Sequence, residues 1–383
     1  MRISLVGPAH PYKGGGARHT TELAHRLAAR GHETVVETWR AQYPALLYPG
    51  RQTVPAPEGE PFPATRRDLA WNRPWGWWRA GRRMGAAADL VVVTVLIPAQ
   101  AVPYLGVLAG VGGRARTLAL CHNVLPHERR PADTALMRTL LRRVGGVLAH
   151  SPEQARAACG LAGEDVPVRW APLPPHLPRA RDADRAGEGG ASGDGGGESG
   201  PNGGRSGGLR RNLLFFGLVR HYKGVDVLLR AFARSAPPDV GLTVAGEFWG
   251  TAPELRGLAA ELGIADRVDF REGYVPADEL PALFAGADAL VLPYRSATAT
   301  QNVHLAHEHG LPVIATRAGA LADAVADGKD GLLCAPDDPA DLADALRRFY
   351  APGAAERLRA AVRPADPGPL WDGYIDALLG ERD

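Results

Sequence analysis

The chain has little cysteine, almost no lysine, no excess of charge of either sign and no long hydrophobic run. Its three cysteines, Cys121, Cys159 and Cys334, lie far apart. That excludes a disulfide framework and a paired CxxC zinc site, and it points to a reducing compartment. No run of about 18 apolar residues occurs, so no membrane-spanning helix is expected. The opening segment MRISLVGPAHPYKGG has one short apolar run stopped by Gly7-Pro8, unlike a secretory signal. Lys+Arg total 44 and Asp+Glu 42, a net charge of +2, without the basic field of a nucleic-acid binder. These absences give the expectation of a cytoplasmic protein, at most peripheral to the inner face of a membrane, with no nucleic-acid partner.

What is present is globular in character. Hydrophobic residues make up 45% and charged residues 22% of 383, which excludes wholesale disorder, and at roughly 150 residues per domain the length allows two or three domains. Nearly every basic residue is arginine, so the lysines Lys13, Lys223 and Lys329 stand out. Lys13 precedes a glycine triplet and Lys223 precedes Gly224, where a flexible point charge suits a phosphate. Lys329, in DGKDG, reads as a turn residue.

From residue 2 the pattern predicts a strand over Arg2–Gly7, a loop, and a helix to about Ala29 with Leu23 and Leu27 on one face. Buried-type strands follow at Thr34–Thr38, Leu90–Ile97, Thr117–Cys121 and Gly146–Ala149, alternating with helical segments such as Thr134–Val144. Residues 182–208 contain 12 glycines among 27 residues, a flexible coil of about 30 Å. The alternation then restarts with strands at Asn212–Leu218, Leu242–Ala245, Val268–Phe270, Ala289–Leu292, Val313–Thr316 and near Leu332. Helices are expected at Val225–Arg234, Pro253–Leu262, Asp278–Gly286, Gln301–His309 and Ala340–Phe349, and a last one over Leu370–Leu379 that could pack back on the first domain. The fold class is therefore α/β, with two Rossmann-like doubly wound domains facing a central cleft. The expected boundaries are 1–178 for the first domain, 179–209 for the linker, 210–364 for the second domain and 365–383 for the closing helix.

Four segments suit chemistry at strand ends. Lys13-Gly14-Gly15-Gly16 lets backbone approach a ligand while helix N–H groups face an anion; a tight turn into a helix is the plainer alternative. No GKS or GKT follows, and His19 occupies the place of a third glycine, so neither a Walker loop nor a good dinucleotide fingerprint is present. Glu37, at the end of the second strand, would suit a ribose. His122, in Cys121-His122-Asn123, falls at a strand's carboxyl end as a site histidine or a capping one. Arg220 and Lys223, in FFGLVRHYKG, place two cations where a diphosphate leaving group would need them, unless they only solvate a loop. Thr300, as an N-cap, with Gln301 and Asn302 opens a helix that offers a second phosphate contact.

Three further segments carry weaker readings. His304, His307, Glu308 and His309 share one helix but lack HExxH order and a fourth ligand, so no metal is expected. Asp182-Ala183-Asp184 matches an Asp-x-Asp motif only formally. Between Arg66 and Arg83, Trp71, Trp75, Trp77 and Trp78 interleave with Arg66, Arg67, Arg73, Arg79, Arg82 and Arg83. That composition suits an anionic membrane face or a lipid-linked acceptor, or a sugar ring, and equally suits structural packing.

Taken in order, the stretches GPAHPYKGGGARHTTELAHRLAARGHE, HNVLPHE, FFGLVRHYKGVDVLLRAF, VAGEF, GYVPADELPALFAGADALVLPY and GLPVIATRAGALADAVADGKDGLLCAPDDPADLADAL resemble the retaining glycosyltransferases of family 4, also called group 1. The resemblance covers nearly the whole chain and implies the GT-B fold. It also implies transfer of a sugar from a nucleotide-diphosphate sugar, held by the second domain, to an acceptor held mostly by the first, with neither a metal nor a cofactor. It further implies that Gly15 and Gly16 lie near the diphosphate and sugar, that His122 contacts the sugar, and that Arg220 and Lys223 hold the diphosphate. Tyr274, Thr300, Gln301 and Asn302 would contact the nucleotide sugar, and Lys13 and Glu308 are outer candidates. The position after Gly217, often arginine in relatives, is Leu218. The two places where many relatives carry glutamate hold Ala297 and Leu305, although branches with a TxTQN-like stretch lack that pair too. A non-catalytic nucleotide- or sugar-binding protein, and an NAD-dependent enzyme, stay open as alternatives.

Overall fold

The computed structural model describes residues 1–43, 52–54, 57, 59–126, 128, 130–176, 209–298 and 301–381. The chain divides into two units. One comprises Met1–Leu177, Thr298–Gln301 and Asp366–Asp383, the other Pro178–Ala297 and Asn302–Ala365.

The first unit is built on seven strands: β1 (Arg2–Val6), β2 (Glu33–Ala41), β3 (Thr65–Ala70), β4 (Leu90–Val95), β5 (Arg116–Cys121), β6 (Val147–Ala149) and β7 (Val168–Trp170). Their order is β3-β2-β1-β4-β5-β6-β7, and every neighbouring pair is parallel. A parallel sheet covered on both faces needs apolar residues on both, and LVVVTV in β4 is buried throughout. Helices α1 (Gly15–Ala29), α2 (Pro74–Ala87), α3 (Ala101–Val111), α4 (Asp133–Leu141) and α5 (Pro152–Cys159) flank it. One core gathers Trp39, Tyr104, Val91 and Val93; another gathers Ile3, Leu5, Leu23 and Val92 with Trp371 and Tyr374 from the C-terminal helix.

Differences from the sequence pattern have local causes. The helix predicted over Thr134–Val144 ends at Leu141, where Arg143 N donates to Leu140 O in a closing turn. Trp-Arg composition hid β3 and α2, which together span most of residues 65–87. The α2 and α3 helices meet through glycines: a Cβ on Gly81 would stand 2.0 Å from Val107 O, and one on Gly110 2.2 Å from Trp78 O.

The second unit repeats the plan with β8 (Asn212–Phe216), β9 (Gly241–Gly246), β10 (Val268–Glu272), β11 (Ala289–Leu292), β12 (Val313–Thr316) and β13 (Gly331–Cys334), ordered β10-β9-β8-β11-β12-β13 and all parallel. Its helices are α6 (Val225–Ser235), α7 (Ala252–Glu261), α8 (Leu280–Ala285), α9 (Asn302–Glu308), α10 (Leu321–Ala324), α11 (Pro339–Phe349) and α12 (Ala354–Ala361), and α13 (Pro367–Leu379) closes the chain. Asp288, fully buried, is satisfied by Arg210 N, Asn212 N and the Tyr350 hydroxyl. Asp338 caps α11 by accepting from Ala340 N and Asp341 N.

Each sheet reverses its strand order once, between β1 and β4 and between β8 and β11. In such sheets ligands sit outside the carboxyl ends of the strands at that reversal. The loops after β1 and β4 and after β8 and β11 are therefore the places to look, with the loop after β5 next to that of β4.

Candidate active site

In the first unit, the loop after β1 turns into α1 through Gly14, whose φ of 90° lies in the left-handed region that glycine alone adopts easily. The N–H groups of Gly15 and Gly16 open α1 and have no acceptor within the helix, so they form an anion-facing pair. Gly15 is exposed, and a Cβ there would meet His176 Nε2 at 3.5 Å; one on Gly16 would strike Leu96 Cδ2 at 2.8 Å. Lys13, in the same loop, is half-buried and its N donates to Gln52 O.

His122 follows β5 directly, with its N bonded to Val95 O. Three more histidines meet it that sequence reasoning did not assign. His19 on α1, His150 after β6 and His176 after β7 bring ring centroids to 4.8 Å (His19–His122), 4.7 Å (His122–His150) and 5.1 Å (His19–His176). Trp371 stacks on His19 and Tyr374 on His150. Both ring nitrogens of His19 and of His150, and Nε2 of His122, are buried with no hydrogen-bond partner among the described residues. Burial, reinforced by the neighbouring imidazoles, pushes His19 and His122 well below the ordinary histidine range, and burial takes His150 down to about 3. His122 therefore stands as a neutral imidazole. The readable signal was position: His122 and His150 each follow a short apolar strand directly.

Gln301 groups with this unit, its Oε1 accepting from His176 N at 3.1 Å. Thr300 lies outside the described residues, as do Asp182 and Asp184. Glu37 is not available to a ribose: it is 1% exposed, and its carboxylate is taken by Arg83 at 2.7 Å and Arg66 at 3.5 Å.

In the second unit, Arg220 and Lys223 both lie in the turn after β8. Val219 bridges Phe248, so the residues after β9 run alongside, and Arg220 Cζ stands 5.1 Å from the Trp249 ring. Lys223 Nζ lies 3.6 Å from the Tyr294 ring centroid and 5.3 Å from that of Tyr222. Burial lowers the Lys223 pKa. Gly224, at φ 67°, follows directly; a Cβ there would stand 2.0 Å from Pro293 O, so glycine is what lets this turn sit on the end of β11. Arg295, by contrast, is committed to Asp226 and Asp337.

Asn302 Nδ2 donates to Phe216 O at 2.7 Å and reaches the Tyr294 hydroxyl at 3.1 Å. Tyr274, half-buried, follows Gly273 at the end of β10, where Gly273 N bonds Gly246 O. Lys223, Asn302 and Arg220 thus gather around the carboxyl ends of β8 and β11. Ala297 and Leu305 are buried at 8% and 2% exposure, so no carboxylate faces a ligand from those positions. Glu308 ends α9, about 9 Å along its axis from Asn302 at 1.5 Å per residue.

The histidines of α9 and of the turn after it serve packing: His307 is buried, His309 just past the helix stacks on Phe284 at 4.9 Å, and burial, with His307 nearby, takes His304 down to about 4. Among the described residues no group of three or more His, Cys, Asp and Glu side chains is placed to hold a metal ion.

The family description "Glycosyltransferase Family 4" matches residues 13–172, and "Glycosyl transferases group 1" matches residues 210–351. The chain belongs to this family. Among curated relatives, the D-inositol 3-phosphate glycosyltransferase of Acidothermus cellulolyticus is 36% identical over 179 residues, 44% of this chain and 40% of that protein. That of Thermomonospora curvata is 39% identical over 179 residues, 44% of this chain and 41% of that one. The chain spans about two fifths of the length of these relatives. Among solved structures, the sucrose-phosphate synthase of Thermosynechococcus elongatus superposes with a TM-score of 0.67 at 18% identity, covering all of both chains. Anabaena HepE in complex with UDP and glucose superposes with a TM-score of 0.69 at 17% identity, over 99% of this chain and 100% of that one. These likenesses establish the GT-B fold.

Proposed function

We propose that the protein is a glycosyltransferase that takes a sugar from a nucleotide-diphosphate donor to an acceptor, with retention of configuration as the family resemblance implies. The observation that carries the reading is the seating of Lys223 and Arg220 on aromatic faces beside the carboxyl ends of β8 and β11. Lys223 has no carboxylate partner among the described residues, so its charge is open to an anion. As the bond between the anomeric carbon and the phosphate oxygen breaks, negative charge grows on the diphosphate, and fixed cations in a partly desolvated turn stabilise it. The departing phosphate oxygen takes the acceptor's proton as the new glycosidic bond forms. In the first unit, Gly15 and Gly16 offer N–H groups to an anion, and the neutral His122 offers a sugar hydroxyl a hydrogen-bond partner, the roles the family resemblance implies. Tyr274, Gln301 and Asn302 complete the donor contacts. Replacing both Arg220 and Lys223 with alanine is expected to lower transfer from a labelled donor by about 100-fold or more. Undiminished transfer would sink the assignment, and donor binding without any transfer by the unmodified chain would favour a binding protein.

A second proposal concerns where the protein works. The outer face of α2 and its approach carry Trp71, Trp75 and Trp78, exposed at 43%, 79% and 37%, beside the exposed Arg73, Arg79 and Arg82. This face fits an anionic membrane surface and an acceptor that is lipid-linked. No helix among the described residues is long and apolar enough to cross a membrane. The association proposed here is peripheral, at a cytoplasmic face.

A further inference from the structure

Tyr294 was not among the residues the sequence singled out, yet it touches two that were. It follows β11 by two residues, is 1% exposed, and its backbone oxygen accepts from the Thr316 hydroxyl at 2.5 Å, which fixes the residue to β12. Its ring face lies 3.6 Å from Lys223 Nζ. Its hydroxyl lies 3.1 Å from Asn302 Nδ2, and the same amide is anchored to Phe216 O. The ring sits where a lysine in a desolvated turn would otherwise lack a counter-group. An aromatic face attracts the ammonium without neutralising it, whereas a carboxylate there would quench the charge that a diphosphate needs. Arg295, held between Asp226 and Asp337, shows the alternative outcome one residue away.

We propose that Tyr294 is the positioning residue of the donor half-site, its ring seating the Lys223 ammonium and its hydroxyl orienting the Asn302 amide. The inference rests on the donor reading given above. Tyr294 is buried behind both side chains and acts through them.

The two arms separate by substitution. Tyr294→Phe keeps the ring and removes the hydroxyl; Tyr294→Leu removes both. Affinities for UDP, GDP and ADP, titrated separately, give the readout, with melting temperature as the control for folding. For the nucleotide that binds, Y294F is expected to weaken affinity about threefold and Y294L about tenfold or more. A double-mutant cycle tells positioning from mere packing. Lys223→Met is expected to lose about the same factor in the Y294F background as in the unmodified protein, and less than about half of it in Y294L. Asn302→Ala is expected to lose less in Y294F than in the unmodified protein. Equal losses in every background of a folded protein would overturn the inference while leaving the donor reading intact. If Y294L does not fold, the Y294F and Asn302→Ala cycle decides alone, and strict additivity there overturns it. If the unmodified protein binds none of the three nucleotides, the donor reading fails and takes this inference with it.

Discussion

Burial of imidazoles has a consequence at the scale of single residues. His19, His122 and His150 are held below the ordinary histidine range in the folded chain by loss of solvent, with each other's proximity adding to the effect for His19 and His122. In the unfolded chain each titrates near pH 6.5. Below that pH the unfolded state binds more protons than the folded one, so stability is full above about pH 6.5 and falls as pH drops toward the folded values. Each histidine contributes a slope of up to about 1.4 kcal/mol per pH unit in that window. Melting temperature is therefore expected to fall steadily from pH 6.5 to 4.5, and His150→Leu should flatten the fall; a level profile in the unmodified protein would contradict the buried array. His122 was legible because it follows an apolar strand. The array was not, because its members come from α1 and from the ends of β5, β6 and β7, which only the folded sheet brings together. Tyr294 escaped for a similar reason: nothing in LVLPY tells that its ring will lie under a lysine some seventy residues earlier.

Among the elements, α2 shows how composition can carry two meanings. The sequence leaves its Trp and Arg residues open between a binding surface and structural packing, and the helix divides them between the two. Trp77 turns inward and donates its indole N–H to Ala70 O at 2.7 Å, and Arg83 pairs with Glu37 and Asp68. Gly81 faces α3, which is why the helix can lie close enough to leave its outer side to Trp75, Trp78, Arg79 and Arg82. Arg82 stands over the Trp78 ring at 4.9 Å. The surface proposal then belongs to Arg79 and Arg82, not to Arg83. Purified protein is expected to sediment with vesicles rich in phosphatidylglycerol. Arg79→Glu with Arg82→Glu should weaken this by more than about tenfold at low salt, since each basic group near such a surface is worth about 1 kcal/mol. Equal binding by both forms, or none by either, would remove the membrane from the account. Strands and helices with a single buried face were legible from periodicity. The β3 strand and α2 were not, since the aromatic and charged residues there mask the apolar period.

At the scale of the molecule, both units use one strand order with one reversal point, and Gly15 and Gly16 in the first unit and Arg220 and Lys223 in the second follow a strand at that point. The α/β alternation made this legible, because parallel strands covered by helices must be apolar on both faces and must be joined by helical crossovers. The family's motifs supplied the assignment of cations and glycines, and the structure supplied their surroundings: aromatic seats for Arg220 and Lys223, and a buried histidine array around a neutral His122. Ala297 and Leu305 supply no carboxylate, so on the proposed donor reading the second unit's affinity rests on Arg220 and Lys223. The most direct measurement is the melting temperature against UDP, GDP, ADP, CMP and NAD, since a ligand that binds only the folded state raises it by an amount that grows with the logarithm of its affinity. The account predicts a shift on the order of 5 °C with one nucleoside diphosphate near saturation, lost when Arg220 and Lys223 are both alanine. A shift with NAD alone, or no shift with any of the five, would contradict it.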